Sequence, residues 1–471
     1  MAYGTYATQT IDAHMYGVVQ VSMLIRHGAR MPTRYIVDAW SDRTMDSEAL
    51  TPNGMVMMFM LGKRIRDMYP NILSDNLTDD QINIYSAPAG RCHQSAMSFL
   101  LGLFPGQFHD QNSVYTNANS QNSISNSLKQ DETSESSPIF FKNTKISNPF
   151  SLKIEKFETD TLFEATKSSV CPRAFQTLSP ILDSAILKYE HIYDKLSVDL
   201  AIAGFKAIDT VGTEKYSFTQ LSTIADQLKC YKNKHGMLPS GISQDLYARL
   251  VLFYNFYNDL WFMLSDKYTR LIANRMARSI TSTIEEKISG GNVSFNLWSG
   301  HDNNIHAFSA LFGLVDLKCS SDALISNTVD NTCVKFPAYG ASYIFELSVK
   351  HGQHFVRVML DGRPITICSV NHDEHYCAWQ IFKKEFADMV YYREDDIKEY
   401  CGNDGIDEHG YPKESQGADL WMIYVMMLTF IMAAALYGVR YAVKYTKAIV
   451  SSSLYAELAN NNELNDARDF N

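Results

Sequence analysis

Two arginines and a histidine stand close together near the start of the chain, in the segment 24–32, which reads Leu-Ile-Arg-His-Gly-Ala-Arg-Met-Pro. Arginine side chains suit phosphate because their planar donors can bind two oxygens at once. A histidine can act as a nucleophile or as an acid and base. Arg26, His27 and Arg30 therefore predict phosphoryl transfer through His27. Gly28 lacks a side chain, which we interpret as room for a ligand beside the backbone.

An apolar run, Val18–Ile25, leads into this segment. Its length and its valine and isoleucine content predict a buried strand. Open α/β sheets bind ligands where their strands end, so the basic segment stands where chemistry is expected. The alternative interpretation is a solvated basic turn that follows a core strand.

The pattern Arg-His-Gly-x-Arg-x-Pro resembles the histidine acid phosphatase family, which lies within the phosphoglycerate-mutase-like superfamily. Five fixed positions together are a more specific signal than Arg-His-Gly alone. A second motif of the family is matched by His301 and Asp302, which follow a predicted strand at 293–298 and precede a predicted helix. A third match is Arg91, which follows a predicted strand at 82–86 and opens another helix.

The resemblance implies a role for each of these residues. His27 attacks phosphorus and forms a phosphohistidine. Asp302 protonates the leaving oxygen and then activates the water that hydrolyses the intermediate. No metal and no cofactor is required, and we expect an acidic pH optimum because Asp302 must carry a proton among arginines. The residues that bind the phosphoryl oxygens are Arg26, Arg30, Arg91 and His301.

The fold that the resemblance implies is α/β, a phosphoglycerate-mutase-like three-layer sandwich with a helical cap insertion. We expect the whole domain at 14–405, with its α/β core at about 14–106 and 290–400. The cap is expected at about 140–288, where the apolar pattern is helical. Residues 107–138 are rich in Asn, Ser, Gln and Thr and predict a disordered insert.

Capping and turn signals predict several further elements. Thr51, followed by a proline, predicts the start of a helix. The longest helical pattern of the cap is a single stretch at about 243–287, whose aromatic residues at helical spacing we assign to packing. Residues 343–367 predict antiparallel strands joined by turns at 351–352 and 361–362.

The 471-residue chain is 46% hydrophobic and has a formal net charge of -10. This composition indicates a globular protein and disfavours a nucleic-acid binder, which usually has a basic surface. An anionic substrate remains compatible, because a local arginine cluster sets the field of its own pocket. We expect a small-molecule phosphate monoester as the substrate and no nucleic-acid partner, and we leave a homodimer open.

The eight cysteines include no closely spaced pair of the kind found in zinc sites, and they favour disulfides in an oxidising compartment. The alternative is a set of free thiols in a cytosolic protein. Cys319 and Cys333 flank a polar loop and could bridge it. The resemblance implies two further bridges, Cys368–Cys377 and Cys171–Cys401, and leaves Cys92 and Cys230 without an assigned partner.

Residues 420–439 contain no charged side chain, and this stretch is long enough to cross a bilayer as a helix. We therefore expect one C-terminal transmembrane helix at 419–440. Basic residues follow it, so the positive-inside rule places the tail, 441–471, in the cytoplasm and the catalytic domain in the lumen or outside the cell. The alternative is a buried helix of a soluble domain.

The tail segment Tyr455–Leu458, Tyr-Ala-Glu-Leu, resembles the tyrosine signal that clathrin adaptors read on lysosomal membrane proteins. We therefore expect a lysosomal or endosomal membrane, with the plasma membrane as the alternative. Asn76 and Asn292 stand in glycosylation patterns, which suits a luminal glycoprotein. Residues 1–16 do not have the pattern of a signal peptide, and we expect that signal to have been removed or to be missing. The alternatives are a misplaced start and a protein that is not secretory.

Three functions are compatible with these features. The first is a membrane-anchored acid phosphatase of broad monoester specificity. The second is a selective phosphatase for inositol phosphates or lysophosphatidate, which Asn304 and the cap leave open. Phytase-like members of the family often carry an asparagine at the position of Asn304, which keeps inositol phosphates as candidate substrates. The third is a phosphatase-fold protein that binds anions without catalysis. The complete set of six site residues argues against the third.

Overall fold

The computed structural model describes residues 17–37, 40, 44–73, 77–105, 150–156, 160–205, 216–326, 328, 333, 335–369, 375–390, 397, 400 and 401. Within these residues, eight strands form one mixed sheet. The strands are β1 (Gly17–Arg26), β2 (Ile82–Ser86), β3 (Leu152–Ile154), β4 (Phe295–Gly300), β5 (Ser342–Lys350), β6 (Gln353–Leu360), β7 (Arg363–Ile365) and β8 (Tyr376–Ala378). The α-helices are α1 (Pro52–Met68), α2 (Gly90–Leu103), α3 (Pro172–Lys188), α4 (Glu190–Ile202), α5 (Phe218–His235), α6 (Gln244–Met263), α7 (Asp266–Ile288), α8 (Asp302–Leu311), α9 (Leu317–Ser326) and α10 (Trp379–Val390).

The sheet has the strand order β3-β2-β4-β1-β5-β6-β7, and β8 pairs with β6. The strands β3, β2, β4 and β1 are parallel to one another, whereas β5 pairs antiparallel with β1. Parallel neighbours end at the same edge of a sheet. The carboxyl ends of β2, β4 and β1 therefore meet near the middle of the sheet, and the three predicted site segments follow these strands.

The strand predictions are largely confirmed. The predicted strands at 18–25 and 82–86 correspond to β1 and β2, and the strand predicted at 293–298 is β4, which is shifted two residues towards the site motif. The antiparallel strands β5, β6 and β7 are joined by the predicted turns. His351 and Asp361 each have a φ of 51° there and each precedes a glycine, as two-residue hairpin turns require.

Helices cover both faces of the sheet. On one face, Met23 and Ile25 of β1 belong to a core that also contains Phe99 of α2. On the other face, Leu24 belongs to a core that contains residues of α7, α8, α10 and the cap, among them Phe308. Alternate residues of a strand point to opposite faces, so β1 contributes to both cores. The expected α/β sandwich of three layers is confirmed.

The helices α1 and α2 cross with their backbones in contact. A Cβ atom at Gly62 would lie 2.0 Å from the carbonyl oxygen of Phe99, and one at Gly102 would lie 2.0 Å from that of Phe59. Only glycine permits this approach. The predicted start of α1 is confirmed, since Thr51 Oγ1 accepts a hydrogen bond from Gly54 N at 3.1 Å.

The helical region differs from its prediction in two places. The single helix predicted at 243–287 is wrong, because two helices, α6 and α7, meet at Leu264 and Ser265. The side chain of Ser265 accepts a hydrogen bond from Tyr268 N at 3.3 Å and so caps a new helix. In addition, β3 falls within the range predicted for the cap, yet it pairs with β2 in the core sheet.

The three predicted disulfides, Cys171–Cys401, Cys319–Cys333 and Cys368–Cys377, are confirmed. Cys92 and Cys230 are free and buried. The predicted insert at 107–138, the predicted membrane span and the tail signal lie outside the described residues. Within the described part of the chain, no helix combines the length and apolarity that crossing a membrane requires.

Candidate active site

The six predicted site residues come together at the central edge of the sheet. The loops that carry them are hydrogen-bonded to one another: His27 N donates to Gly300 O at 3.1 Å. The rings of His27 and His301 have centroids 5.9 Å apart. The sequence therefore predicted correctly which motifs meet. Arg26 and His27 lie where β1 ends, His301 and Asp302 lie between β4 and α8, and Arg91 lies in the first turn of α2.

His27 is buried and has a defined tautomer. Its Nδ1 lies 2.8 Å from the carbonyl oxygen of Gly28. Because a carbonyl only accepts, Nδ1 carries the proton and Nε2 retains its lone pair. Burial and the neighbouring guanidinium groups of Arg26, Arg91 and Arg30 hold the pKa of His27 well below its ordinary value. The imidazole is therefore neutral, which is the form that can attack phosphorus.

The glycine beside the histidine serves packing, and the expected room for a ligand is not there. A Cβ atom at Gly28 would lie 2.4 Å from the carbonyl oxygen of Gly54, at the start of α1. The Gly28 N–H donates to Ser95 Oγ of α2 at 3.0 Å. Backbone of α1 thus fills the space that the missing side chain leaves, and the loop after β1 is fixed between two helices.

Buried Arg26 and partly buried Asp302 form an ion pair, with Nη2 and Oδ2 2.6 Å apart. The guanidinium also donates to the carbonyl oxygen of Pro337 and lies 4.4 Å from the ring centroid of Tyr339. Burial alone would favour the neutral acid, but the positive charges of Arg26 and Arg30 outweigh it and hold the pKa of Asp302 well below its usual range. In the absence of substrate, Asp302 is therefore ionised.

Arg30 has a carboxylate partner that the sequence did not reveal. Its two Nη atoms each lie 3.1 Å from an oxygen of Asp226 on α5. Asp226 Oδ2 also accepts a hydrogen bond from Thr33 N at 3.4 Å. Arg30 still adds positive charge around His27. Its donors, however, face the cap rather than an open phosphate site.

Arg91 and His301 belong to a chain of polar contacts. Arg91 Nη1 bonds Glu48 at 2.9 Å, and its Nη2 lies 3.3 Å from Nδ1 of His301. On the other side of the ring, Nε2 of His301 lies 2.7 Å from Oε1 of Glu164. Cys92 Sγ is 3.8 Å from Nδ1. Glu164 is thus a site residue that the sequence analysis missed.

Asn304, the position at which the resemblance points to phytase-like members of the family, makes two hydrogen bonds within the protein. Its Oδ1 accepts a hydrogen bond from His301 N at 2.8 Å, and its Nδ2 donates to the carbonyl oxygen of Phe163 at 3.1 Å. The side chain is 2% exposed. Asn304 therefore caps α8 and joins it to the segment that carries Glu164.

A lysine of the cap lies near the site without a carboxylate partner. Lys229 of α5 places Nζ 4.1 Å from the ring centroid of Tyr254. Burial and the charge of Arg26 lower its pKa to about 8, although Asp226 and Asp302 act in the opposite direction. Among the described residues, no carboxylate lies within ion-pair distance of Nζ. An anionic ligand would place a negative charge beside the Lys229 ammonium group.

The residues that the sequence missed, Glu164, Asp226 and Lys229, stand in no recognisable motif. Glu164 is 137 positions from His301, and Asp226 is 196 positions from Arg30. The only available signal was the polarity of single residues within apolar helical or turn-rich segments. Within the described residues, no group of three or more His, Cys, Asp and Glu side chains is arranged to hold a metal ion.

Comparison with solved structures supports the same fold. The phytase of Hafnia alvei has a TM-score of 0.54 and 15% identity, covering 81% of this chain and 98% of its own. The phytase of D. castellii has a TM-score of 0.55 and 15% identity, covering 85% and 84%. The multiple inositol polyphosphate phosphatase of Bifidobacterium longum has a TM-score of 0.54 and 14% identity, covering 83% and 96%. At these identities the likeness concerns the fold.

Comparison with curated protein sequences gives no match. The family model of the histidine phosphatase superfamily (branch 2), however, matches residues 18–361. That range contains both sequence motifs, Arg91 and the strands that bring them together. Since the match extends over most of the chain and the motif residues meet in one site, the chain belongs to the histidine phosphatase superfamily, branch 2.

Proposed function

We propose that the protein hydrolyses phosphate monoesters through a phosphohistidine at His27. The observation that carries the proposal is the state of His27: Nδ1–H is bonded to Gly28 O at 2.8 Å, which leaves a neutral Nε2 among three arginines and Asp302. A lone pair surrounded by cationic donors suits attack on an anionic phosphoryl group. A purely anion-binding site would have no need for an unprotonated imidazole.

The reaction has two steps. In the first, Nε2 of His27 forms a bond to phosphorus while the P–O bond to the alcohol breaks, and Asp302 gives its proton to the leaving oxygen. In the second, Asp302 takes a proton from water, whose oxygen attacks phosphorus as the P–N bond breaks. Inorganic phosphate is released and both side chains return to their starting states. Arg26, Arg91 and His301 neutralise the phosphoryl oxygens in both steps.

The proposed acidic pH optimum depends on the protonation state of Asp302. This carboxyl must be protonated in the first step, yet its pKa lies well below the ordinary value in the free protein. A bound phosphate dianion adds negative charge beside it and competes for Arg26, which raises its affinity for a proton. The protonated fraction grows as the pH falls, so the rate of the first step has its maximum in the acidic range.

A substrate with a second anionic group is the other candidate. Lys229 favours it, because this cation has no carboxylate partner within the described part of the chain and is suited to a further phosphate. The structural neighbours include phytases and an inositol polyphosphate phosphatase, which makes inositol phosphates a reasonable class to examine.

The proposed setting is a lysosomal or endosomal membrane, with the catalytic domain in the lumen. The support is the uncharged stretch 420–439, the basic residues after it and the tail segment Tyr455–Leu458. Alkaline extraction of the full chain from cells tests whether it is inserted in a membrane. Removal of the tail signal by Tyr455→Ala tests whether that signal determines the location of the protein in the cell. Release by alkali, or unchanged location of the variant, would contradict these proposals.

Hydrolysis of p-nitrophenyl phosphate by the full chain from pH 3 to 8 tests the reaction. We expect turnover with an acidic maximum that is lost in His27→Ala, because Asp302 alone supplies no nucleophile. Binding of inorganic phosphate to the inactive variant shows that it is folded. A wild-type protein that binds phosphate but does not turn over would support the non-catalytic anion-binding alternative instead.

A further inference from the structure

Glu164 holds the phosphate-site histidine from the side that faces away from Arg91. Its Oε1 lies 2.7 Å from Nε2 of His301, and the two residues are 1% and 7% exposed. The second carboxylate oxygen, Oε2, is buried and has no hydrogen-bond partner among the described residues. A buried carboxylate is costly unless it is paired, so the bond to His301 is its principal compensation.

The segment around Glu164 is fixed to the motif that carries His301. The Phe163 carbonyl accepts a hydrogen bond from Asn304 Nδ2 at 3.1 Å, and a Cβ atom at Gly300 would lie 2.7 Å from the Phe163 ring. Asp160 Oδ1 accepts from Phe163 N at 3.0 Å. These contacts leave Glu164 little freedom to turn away from His301.

The other ring nitrogen of His301 faces the phosphate site. Nδ1 lies 3.3 Å from Nη2 of Arg91 and, without a ligand, accepts a hydrogen bond from this guanidinium, which can only donate. A phosphoryl oxygen that replaces this contact would accept from both Arg91 and a protonated Nδ1. This requires a proton on Nδ1 in addition to the one on Nε2. The groups that face the ring from the neighbouring elements are Glu164, Arg91, Cys92, His27 and Asp302.

We propose that Glu164 is a positioning residue that holds His301 through Nε2 and keeps its ring doubly protonated, so that Nδ1–H and Arg91 donate to the same phosphoryl oxygen. The inference rests on the proposed phosphate site. It assigns a role to a residue that lies in neither sequence motif.

The charges around His301 agree with this assignment. Burial opposes the imidazolium form, but Cys92 and Glu164 outweigh it and raise the pKa of His301 to about 10. Burial would favour a protonated Glu164, yet the hydrogen bond from His301 outweighs burial and lowers the pKa of Glu164. Both shifts place the shared proton on the ring. The charge of His301 is therefore maintained well above the pH at which an ordinary histidine loses it.

The test is the inhibition constant of inorganic phosphate for Glu164→Gln and for the wild type, measured at several pH values from 4.5 to 8. Glutamine keeps an oxygen for Nε2 but removes the charge. We expect the inhibition constant of the variant divided by that of the wild type to be near one in acid and to rise to about tenfold or more by pH 7.5, because loss of the Glu164 charge lowers the pKa of His301. A ratio that is the same at every pH would reduce Glu164 to a structural role and overturn the inference.

A matched control is Glu155→Gln. Glu155 stands near the same segment and bonds both Nη atoms of Arg275 at 2.7 Å, so the variant loses a carboxylate without touching His301. Its ratio should stay near one at every pH. A pH-dependent ratio like that of Glu164→Gln would contradict the specific role. Absence of phosphate inhibition in the wild type at every pH would overturn the proposed function and the inference with it.

A second measurement can be made on the protein with Glu164 unchanged. In the phosphate complex at pH 7.5, the ¹⁵N resonances of the His301 ring, identified by their loss in His301→Asn, should show both nitrogens protonated. A resonance typical of an unprotonated Nδ1 would overturn the inference even if Glu164→Gln failed to fold.

Discussion

His27 owes its reactive form to local contacts that can be followed atom by atom. The Gly28 carbonyl fixes the proton on Nδ1, and burial with three arginines keeps Nε2 free. Arg26, by contrast, lowers the pKa of Asp302 and keeps this carboxylate ionised until a phosphoryl group binds beside it. Before substrate binds, His27 is therefore already in its reactive neutral form, whereas Asp302 is still ionised. A bound phosphoryl group must add negative charge before Asp302 can carry the proton that the first step requires.

The cap lysine allows substrate choice to be tested at a single residue. If Lys229 binds a second anionic group, Lys229→Met should lower kcat/KM for an inositol polyphosphate about tenfold more than for p-nitrophenyl phosphate, which corresponds to about 1.4 kcal/mol. Lys232→Met is the control, because Lys232 also lies on α5 and rests on a tyrosine, 4.3 Å from the Tyr247 ring. Equal losses for both substrates in Lys229→Met would contradict this role.

At the scale of elements, strands and their following motifs could be predicted, whereas the contacts between distant segments could not. A continuous apolar run located β1 and an alternating apolar pattern located β4, and the motif residues had to lie at the ends of these strands. The break between α6 and α7 was missed because neither glycine nor proline marks it. The pairing of Arg30 with Asp226 depends on how α5 docks, which no local pattern encodes.

The contribution of Asp160 to the unfolding free energy should depend on pH. Burial is the main cause that raises the pKa of Asp160 to about 7, and the residue is fully buried. The folded state therefore binds more protons than the unfolded state between about pH 4 and 7, so this residue's contribution to stability is lost as the pH rises through that window. Asp160→Asn keeps an oxygen for the Leu162 and Phe163 N–H groups.

Relative to the wild type, the unfolding free energy of Asp160→Asn should increase from pH 4 to pH 8, by at most roughly 4 kcal/mol. Urea unfolding at each pH measures this difference. A difference that is constant across the range, or that falls as the pH rises, would contradict the assignment.

At the scale of the whole molecule, long-range connections join the cap to the α/β core. Gln227 of α5 accepts hydrogen bonds from Ile36 N and Val37 N at 3.1 and 3.2 Å, and donates to Val37 O at 2.8 Å. The Cys171–Cys401 disulfide joins residues 230 positions apart, next to the segment that carries Glu164. The site is therefore assembled from parts of the chain that only the complete fold brings together.

Loss of the long-range disulfide should cost more stability than loss of a local one. The paired change Cys171→Ser with Cys401→Ser opens a loop of 230 residues, whereas Cys319→Ser with Cys333→Ser opens one of 14. By loop entropy the first pair should lower the unfolding free energy by about 2.5 kcal/mol more than the second. Chemical denaturation of both variants measures this, and an equal or reversed order would contradict the expectation.

The central claim, a phosphohistidine at His27, is tested most directly by rapid quenching of Asp302→Asn with ³²P-labelled p-nitrophenyl phosphate. This leaving group departs without a proton, whereas hydrolysis of the intermediate lacks its base, so phosphoenzyme should accumulate. We expect one label per chain, stable in alkali, labile in acid, located on His27 and absent when His27→Ala is added. Turnover by the wild type with no label on His27 in either protein would contradict the account.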